Sequence, residues 1–153
     1  MQPKRALPTV MWRLGYGGLV PFFALTVALL LGMDVPLLES VRLDWWLAAY
    51  AALILSFLGA VHWGVALGMQ DTLNESELGK LLLFSVVPSV LAWFALLLPI
   101  QWALFVLAGL VVFAYVVDAL LLFDKLSSSY GKMRLHLTVI VALLLVAAGV
   151  AVQ

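Results

Sequence analysis

Five uninterrupted apolar runs dominate this chain, and each is long enough to cross a bilayer as a helix. They cover about residues 14–33, 45–69, 78–98, 102–123 and 135–152. Backbone polar groups cannot stay unpaired in lipid, so such runs must form helices or a closed barrel. A barrel needs strands that alternate apolar and polar residues, and these runs do not alternate. The expected fold is therefore all-α: one transmembrane domain over residues 1–153, a polytopic bundle of five helices. Composition agrees. The chain is 66% apolar and 10% charged, against about 45–50% and 25% in soluble domains. A water-soluble globule of this size cannot hide that much apolar surface.

Short polar segments join the runs. The first connector, 34–44, holds Asp34, Pro36, Glu39, Arg42 and Asp44, and the second holds Asp71, Asn74, Glu75 and Glu77. Only Pro99, Ile100 and Gln101 separate the third run from the fourth, which predicts a tight antiparallel hairpin. The last connector carries Ser127, Ser128, Ser129 and Gly131. The first run is longer than a signal-peptide core and no small-x-small cleavage site follows, so it reads as a retained first helix.

Lysine and arginine set the expected orientation. With the N-terminus inside, Lys4, Arg5, Arg13, Lys80, Lys125, Lys132 and Arg134 fall on the inner side, and only Arg42 falls outside. Trp12 then sits at the inner interface, with Trp45, Trp46 and Trp102 at the outer one, depths that amphipathic rings prefer. Residues 1–13 are too poor in arginine for a mitochondrial presequence, which leaves a bacterial inner membrane as the expected address.

Zero net charge and zero cysteines exclude other classes. There is no bulk attraction to nucleic acid, no disulfide, and no thiolate nucleophile or metal ligand. No phosphate loop, dinucleotide fingerprint or HExxH motif occurs. Ser56 and His62 lie about 9 Å apart along one helix and cannot form a local nucleophile–base pair. No metal site and no cofactor are expected, and the residues argue against an enzyme.

Ionisable residues inside a span are costly and are functional candidates by default. His62 in the second run and Asp118 in the fourth fall clearly inside, at similar expected depth. Tyr115 is three residues before Asp118 and shares its helix face. His136 stands at the inner mouth of the fifth run. These four form a candidate intramembrane polar site. Asp118 reads either as the partner of Arg13, Lys125, Arg134 or His136, or as a proton-exchanging or ligand-binding carboxylate. His62 reads as a cross-helix hydrogen-bonding imidazole, a proton relay or a ligand to a metal or cofactor.

Two further features concern packing. The second run carries small residues at every fourth position: Ala48, Ala52, Ser56, Ala60, Gly64 and Gly68. Such spacing lets helix backbones approach closely, within the chain or between copies. Pro21 and Pro88 interrupt the first and third runs and free the carbonyls of Gly17 and Phe84. Those carbonyls need a hydroxyl, a water or a neighbouring helix as partner. The two prolines mark kinks, either tolerated or lining a cavity.

The second run also contains Tyr50 and the string Ile54-Leu55-Ser56-Phe57-Leu58-Gly59-Ala60-Val61-His62-Trp63-Gly64. With Gly15-Tyr16-Gly17-Gly18-Leu19-Val20-Pro21-Phe22, Ser85-Val86-Val87-Pro88-Ser89-Val90-Leu91-Ala92-Trp93 and the Tyr115/Asp118 pair, it resembles a small membrane-protein family of unknown function. That family includes the mammalian mitochondrial transmembrane protein 69. Ala60 departs from the glycine expected there but stays small. The resemblance implies an energy-transducing membrane and no established activity. It also implies that His62, Trp63, Pro88 and Asp118 belong to a family pattern. Three functions are open: a structural or assembly partner of a membrane complex or of further copies, which size and short loops favour; an oligomeric transporter or proton pathway using His62 and Asp118; and a lipid- or quinone-binding intramembrane enzyme.

Overall fold

The computed structural model describes residues 8–33 and 42–152. Lys4, Arg5 and most of the first connector, including Asp34, Pro36 and Glu39, lie outside the described residues. The helices are α1 (Thr9–Gly17), α2 (Leu19–Leu30), α3 (Leu43–Gly68), α4 (Glu75–Ala95), α5 (Ile100–Leu121) and α6 (Ser128–Ala151). Helices α1 and α2 together make the first span, so five spans are long and apolar enough to cross a membrane. Large apolar side chains such as Leu53, Phe57, Leu67, Leu97, Leu120 and Leu143 face outward, as lipid contact requires. The chain is a polytopic all-α membrane bundle.

Helix boundaries shift where capping outweighs hydropathy. Helix α4 begins at Glu75, three residues before its apolar run, because Asn74 and Glu77 form a capping box. The Asn74 carboxamide accepts from the Glu77 backbone N–H at 2.9 Å, and Glu77 accepts from the Asn74 N–H at 3.3 Å. Its end falls at Ala95, before the turn that leads into Pro99. Helix α6 begins at Ser128, seven residues before the apolar run, with Ser127 at the N-cap position. Those extra two turns carry Tyr130, Met133 and Arg134 into the bundle, where all three are buried.

Two interfaces organise the packing. Helices α3 and α4 touch where Gly59 meets the Ser85 carbonyl. A Cβ built at Gly59 would overlap that oxygen and stand 3.1 Å from its carbon. Helices α5 and α6 touch where Gly149 receives the Phe105 ring. The main core then runs through Phe22, Leu47, Leu55, Leu104, Leu107, Val111 and Leu145. A smaller apolar cluster around Ala66, Leu81 and Leu122 closes the end that carries the 69–74 and 122–127 turns.

Only the start of the small-residue ladder of α3 packs inside the chain. Ala48 is buried and Ala52 half-buried, but Ser56, Ala60, Gly64 and Gly68 face outward. A Cβ at Gly64 or Gly68 would meet nothing within 4 Å. The buried face is Ala48, Ala51, Leu55, Gly59, His62 and Ala66. Its steps average about 3.6 residues, the period of the helix itself, whereas steps of four drift about 40° each and leave that face after the second.

The prolines act differently from each other. Helix α4 continues through Pro88, which is buried. The flanking serines do not reach the Phe84 carbonyl that Pro88 frees. Ser85 donates to Leu82 O at 2.6 Å and Ser89 to Val86 O at 2.7 Å. In the first span the helix breaks at Gly18, three residues before Pro21. The Tyr50 hydroxyl of α3 donates to the Gly18 carbonyl at 3.0 Å, one residue beyond the carbonyl that Pro21 frees. Helix α1 has no buried residue. It rests on α6 through Gly15, whose Cβ position is 3.2 Å from Met133 Sδ, and through the Tyr16 hydroxyl, 3.1 Å from His136 Nδ1.

Candidate functional site

One layer of the bundle is polar. His62 from α3, Asp118 from α5, and Arg134 and Thr138 from α6 are each at least 95% buried. They lie between the main core and the smaller end cluster. Each position follows from helical register. Gly59, His62 and Ala66 share the inward face of α3, Ala114, Val117 and Asp118 that of α5, and Met133, Arg134, Thr138 and Val141 that of α6.

The Asp118 carboxylate is the hub. Arg134 Nε donates to Asp118 Oδ2 at 2.6 Å, a short charge-assisted bond. Arg134 Nη1 donates to Thr138 Oγ1 at 3.3 Å, one turn along α6. The second carboxylate oxygen, Oδ1, faces His62 Nε2 at 3.5 Å, beyond good hydrogen-bond length. His62 and Asp118 are brought together between α3 and α5. The choice of cation falls on Arg134, among the four weighed from sequence.

Tyr115 and His136 stand apart from this pair. Tyr115 is half-buried with its ring edge-on to Phe123, centroids 5.6 Å apart. Phe123 in turn meets Tyr130, centroids 6.1 Å apart. His136 is exposed and held by Tyr16. The four candidates therefore do not form one site: a helix face is wider than a contact, and α6 turns Arg134 inward and His136 outward. Arg134 and Thr138 replace them. Their signal in the sequence is the serine run, a helix-start composition that puts Arg134 and Thr138 within α6 as an i, i+4 pair.

Four buried polar atoms of this layer have no hydrogen-bond partner within the chain's described residues: His62 Nε2 and Nδ1, Asp118 Oδ1 and Arg134 Nη2. Leaving such atoms unpaired costs about 1–3 kcal/mol each. Arg134 also walls a cavity of about 750 Å³ between α1, α3 and the start of α6. Its apolar side includes Leu14, Phe57 and Leu58, and its polar side includes Lys125, Ser127 and Tyr130. A smaller cavity of about 120 Å³ beside it shares Leu14, Phe57, Leu58 and Arg134 and reaches Phe22 of α2. Gly18, where α1 passes into α2, lies beside the smaller cavity and keeps helical backbone angles.

The family model described as a protein of unknown function, DUF3429, matches residues 7–150. The chain belongs to that family. The match spans all five membrane helices and every residue of the polar layer, so this DUF3429 chain carries the whole site within the family's extent. No curated protein matches it. No solved structure matches it.

Proposed function

We propose that this chain binds an amphiphilic small molecule, lipid- or quinone-like, inside a bacterial inner membrane. The observation that carries this reading is the cavity of about 750 Å³ walled by buried Arg134, whose Nη2 has no partner. Its volume is that of ordinary ligand sites, about 300–1,000 Å³, and it pairs a mostly apolar wall with a few polar groups. The Asp118–Arg134 pair, backed by Thr138, fixes the guanidinium in the cavity wall. A proton pathway is less well supported. It needs polar groups on both sides of the layer, and α3, α5 and α6 present Leu55, Leu107, Val111 and Leu145 on one of them.

Native mass spectrometry of the full chain in mild detergent tests the reading. The wild type is expected to retain an amphiphile-sized adduct, and Leu58→Trp, which intrudes into both cavities, is expected to lose it. A bare wild-type mass under the gentlest release conditions would overturn it. The outward face of Ser56, Ala60, Gly64 and Gly68 favours a second reading, contact with another membrane helix as an assembly partner or a second copy. The same spectra register it as a co-purifying chain or a dimer.

We place the N-terminus and the 69–74 and 122–127 turns on the inner side, from the seven-to-one distribution of Lys and Arg. The cysteine-free chain suits a direct test. A membrane-impermeant maleimide applied outside intact cells is expected to label Leu98→Cys and to spare Thr72→Cys. The reverse pattern would invert the topology.

A further inference from the structure

We infer that the cavity selects an amphiphile with an oxyanion head, a carboxylate or a phosphate, over one with an uncharged head. The inference rests on the cavity being a ligand site and adds what its polar wall recognises. The charged groups of that wall are Lys125 and Arg134, both cations, and Ser127 and Tyr130 add hydroxyls. The carboxylates that pair with the two cations do not line it. Asp118 stands behind Arg134, bonded to its Nε edge, and Asp124 faces outward with its side chain 69% exposed. A head entering the cavity therefore meets hydrogen-bond donors.

Two donors at that wall lack a partner among the described residues, each just beneath its surface. Arg134 is 4% exposed, and its Nη2 has no partner. Guanidinium has donors along more than one edge, so an anion at Nη2 does not displace Asp118 from Nε. Ser127 Oγ is likewise buried without a partner, at the N-cap of α6, where it caps nothing. The first-turn N–H groups of α6 add their dipole in the same direction. The Lys125 side chain is 12% exposed and bonds Asp124 at 3.0 Å. A pair with one partner in solvent is weak, so Lys125 has charge to share with a second anion. Arg134 is balanced by Asp118, and Lys125 faces the cavity with a charge that the solvent-exposed Asp124 offsets only weakly. An uncharged carbonyl head would use the donors without answering the Lys125 charge. Basic pockets between transmembrane helices bind anionic lipid heads by this logic.

The test uses the purified full chain in dodecylmaltoside with matched probes: oleate, methyl oleate and decylubiquinone. Oleate is expected to bind at least about tenfold more tightly than its methyl ester, the worth of one charge-assisted contact. Lys125→Gln, which leaves the Asp118–Arg134 pair intact, is expected to remove about that factor for oleate and to leave methyl oleate unchanged. Nanodiscs carrying phosphatidylglycerol or phosphatidylcholine separate the sources. Selective retention of phosphatidylglycerol supports a phospholipid phosphate, and oleate binding without it supports a free carboxylate. Equal binding of oleate, methyl oleate and decylubiquinone, all lost in Leu58→Trp, would overturn the oxyanion head and leave the cavity as a ligand site. Binding of none of them would overturn both.

Discussion

Asp118→Ala should be among the most damaging single substitutions in this chain, at about 3–5 kcal/mol of unfolding free energy. The carboxylate is 1% exposed and its partner Arg134 is 4% exposed. Removing the anion strands a guanidinium between two apolar layers, with only Thr138 left as an acceptor through Nη1. Breaking a buried pair from one side costs this much because the surviving charge is unpaired, not because the pair itself is worth as much. The double substitution Asp118→Leu/Arg134→Met removes both charges and fills their space. It should recover most of the loss and should also abolish ligand retention in the cavity. Unfolding in mixed detergent micelles followed by far-ultraviolet circular dichroism measures both changes. A single-mutant loss below about 1 kcal/mol, the value of an exposed pair, would show that the pair does not hold this layer together.

Gly59→Ala should rival it, and Gly64→Ala on the same helix should do the opposite. At Gly59 the added methyl overlaps the Ser85 carbonyl oxygen and approaches its carbon to 3.1 Å. That neighbour is backbone inside α4, so no rotamer change relieves the contact. The α3–α4 spacing must widen, which forfeits packing on both sides at about 1–3 kcal/mol or more. At Gly64 nothing lies within 4 Å of the added Cβ. There the helix gains the intrinsic advantage of alanine over glycine, up to about 1 kcal/mol. Thermal unfolding of the two variants side by side separates them. Equal behaviour would mean that α3 and α4 do not meet at Gly59. Loss of stability at Gly64 alone would show that another helix covers the outward ladder.

The two glycines also mark how far sequence reading reaches. Gly64 belongs to the small-residue ladder and Gly59 does not, yet only Gly59 lies on the face that other helices cover. Spacing in fours is visible in the sequence. The direction from which α4 approaches is not, because it depends on where every other span sits. Arg134 teaches the same lesson from the opposite side. Hydropathy places it outside the fifth run, among loop charges. Helix α6 begins two turns earlier, at Ser128, and sets Arg134 against Asp118, sixteen residues earlier in the chain. Asp118 and His62 were legible because an ionisable group in an apolar run is anomalous wherever the run packs. Tyr115 and His136 look equally apt by sequence and turn elsewhere, Tyr115 to Phe123 and His136 to Tyr16.

What this sequence determined by itself is the solvent and the count: a membrane protein of five helices, with two ionisable groups buried among them. Each of those follows from the transfer free energy of one segment, summed along the chain without reference to any other. Only the tertiary structure decided the partners. The bonding of Asp118 to Arg134, the outward turn of four ladder residues, and the cavity left where α1 stands off from α3 are relations between segments. In lipid no hydrophobic drive selects among such relations, so close backbone contact at Gly59 and one buried ion pair settle them.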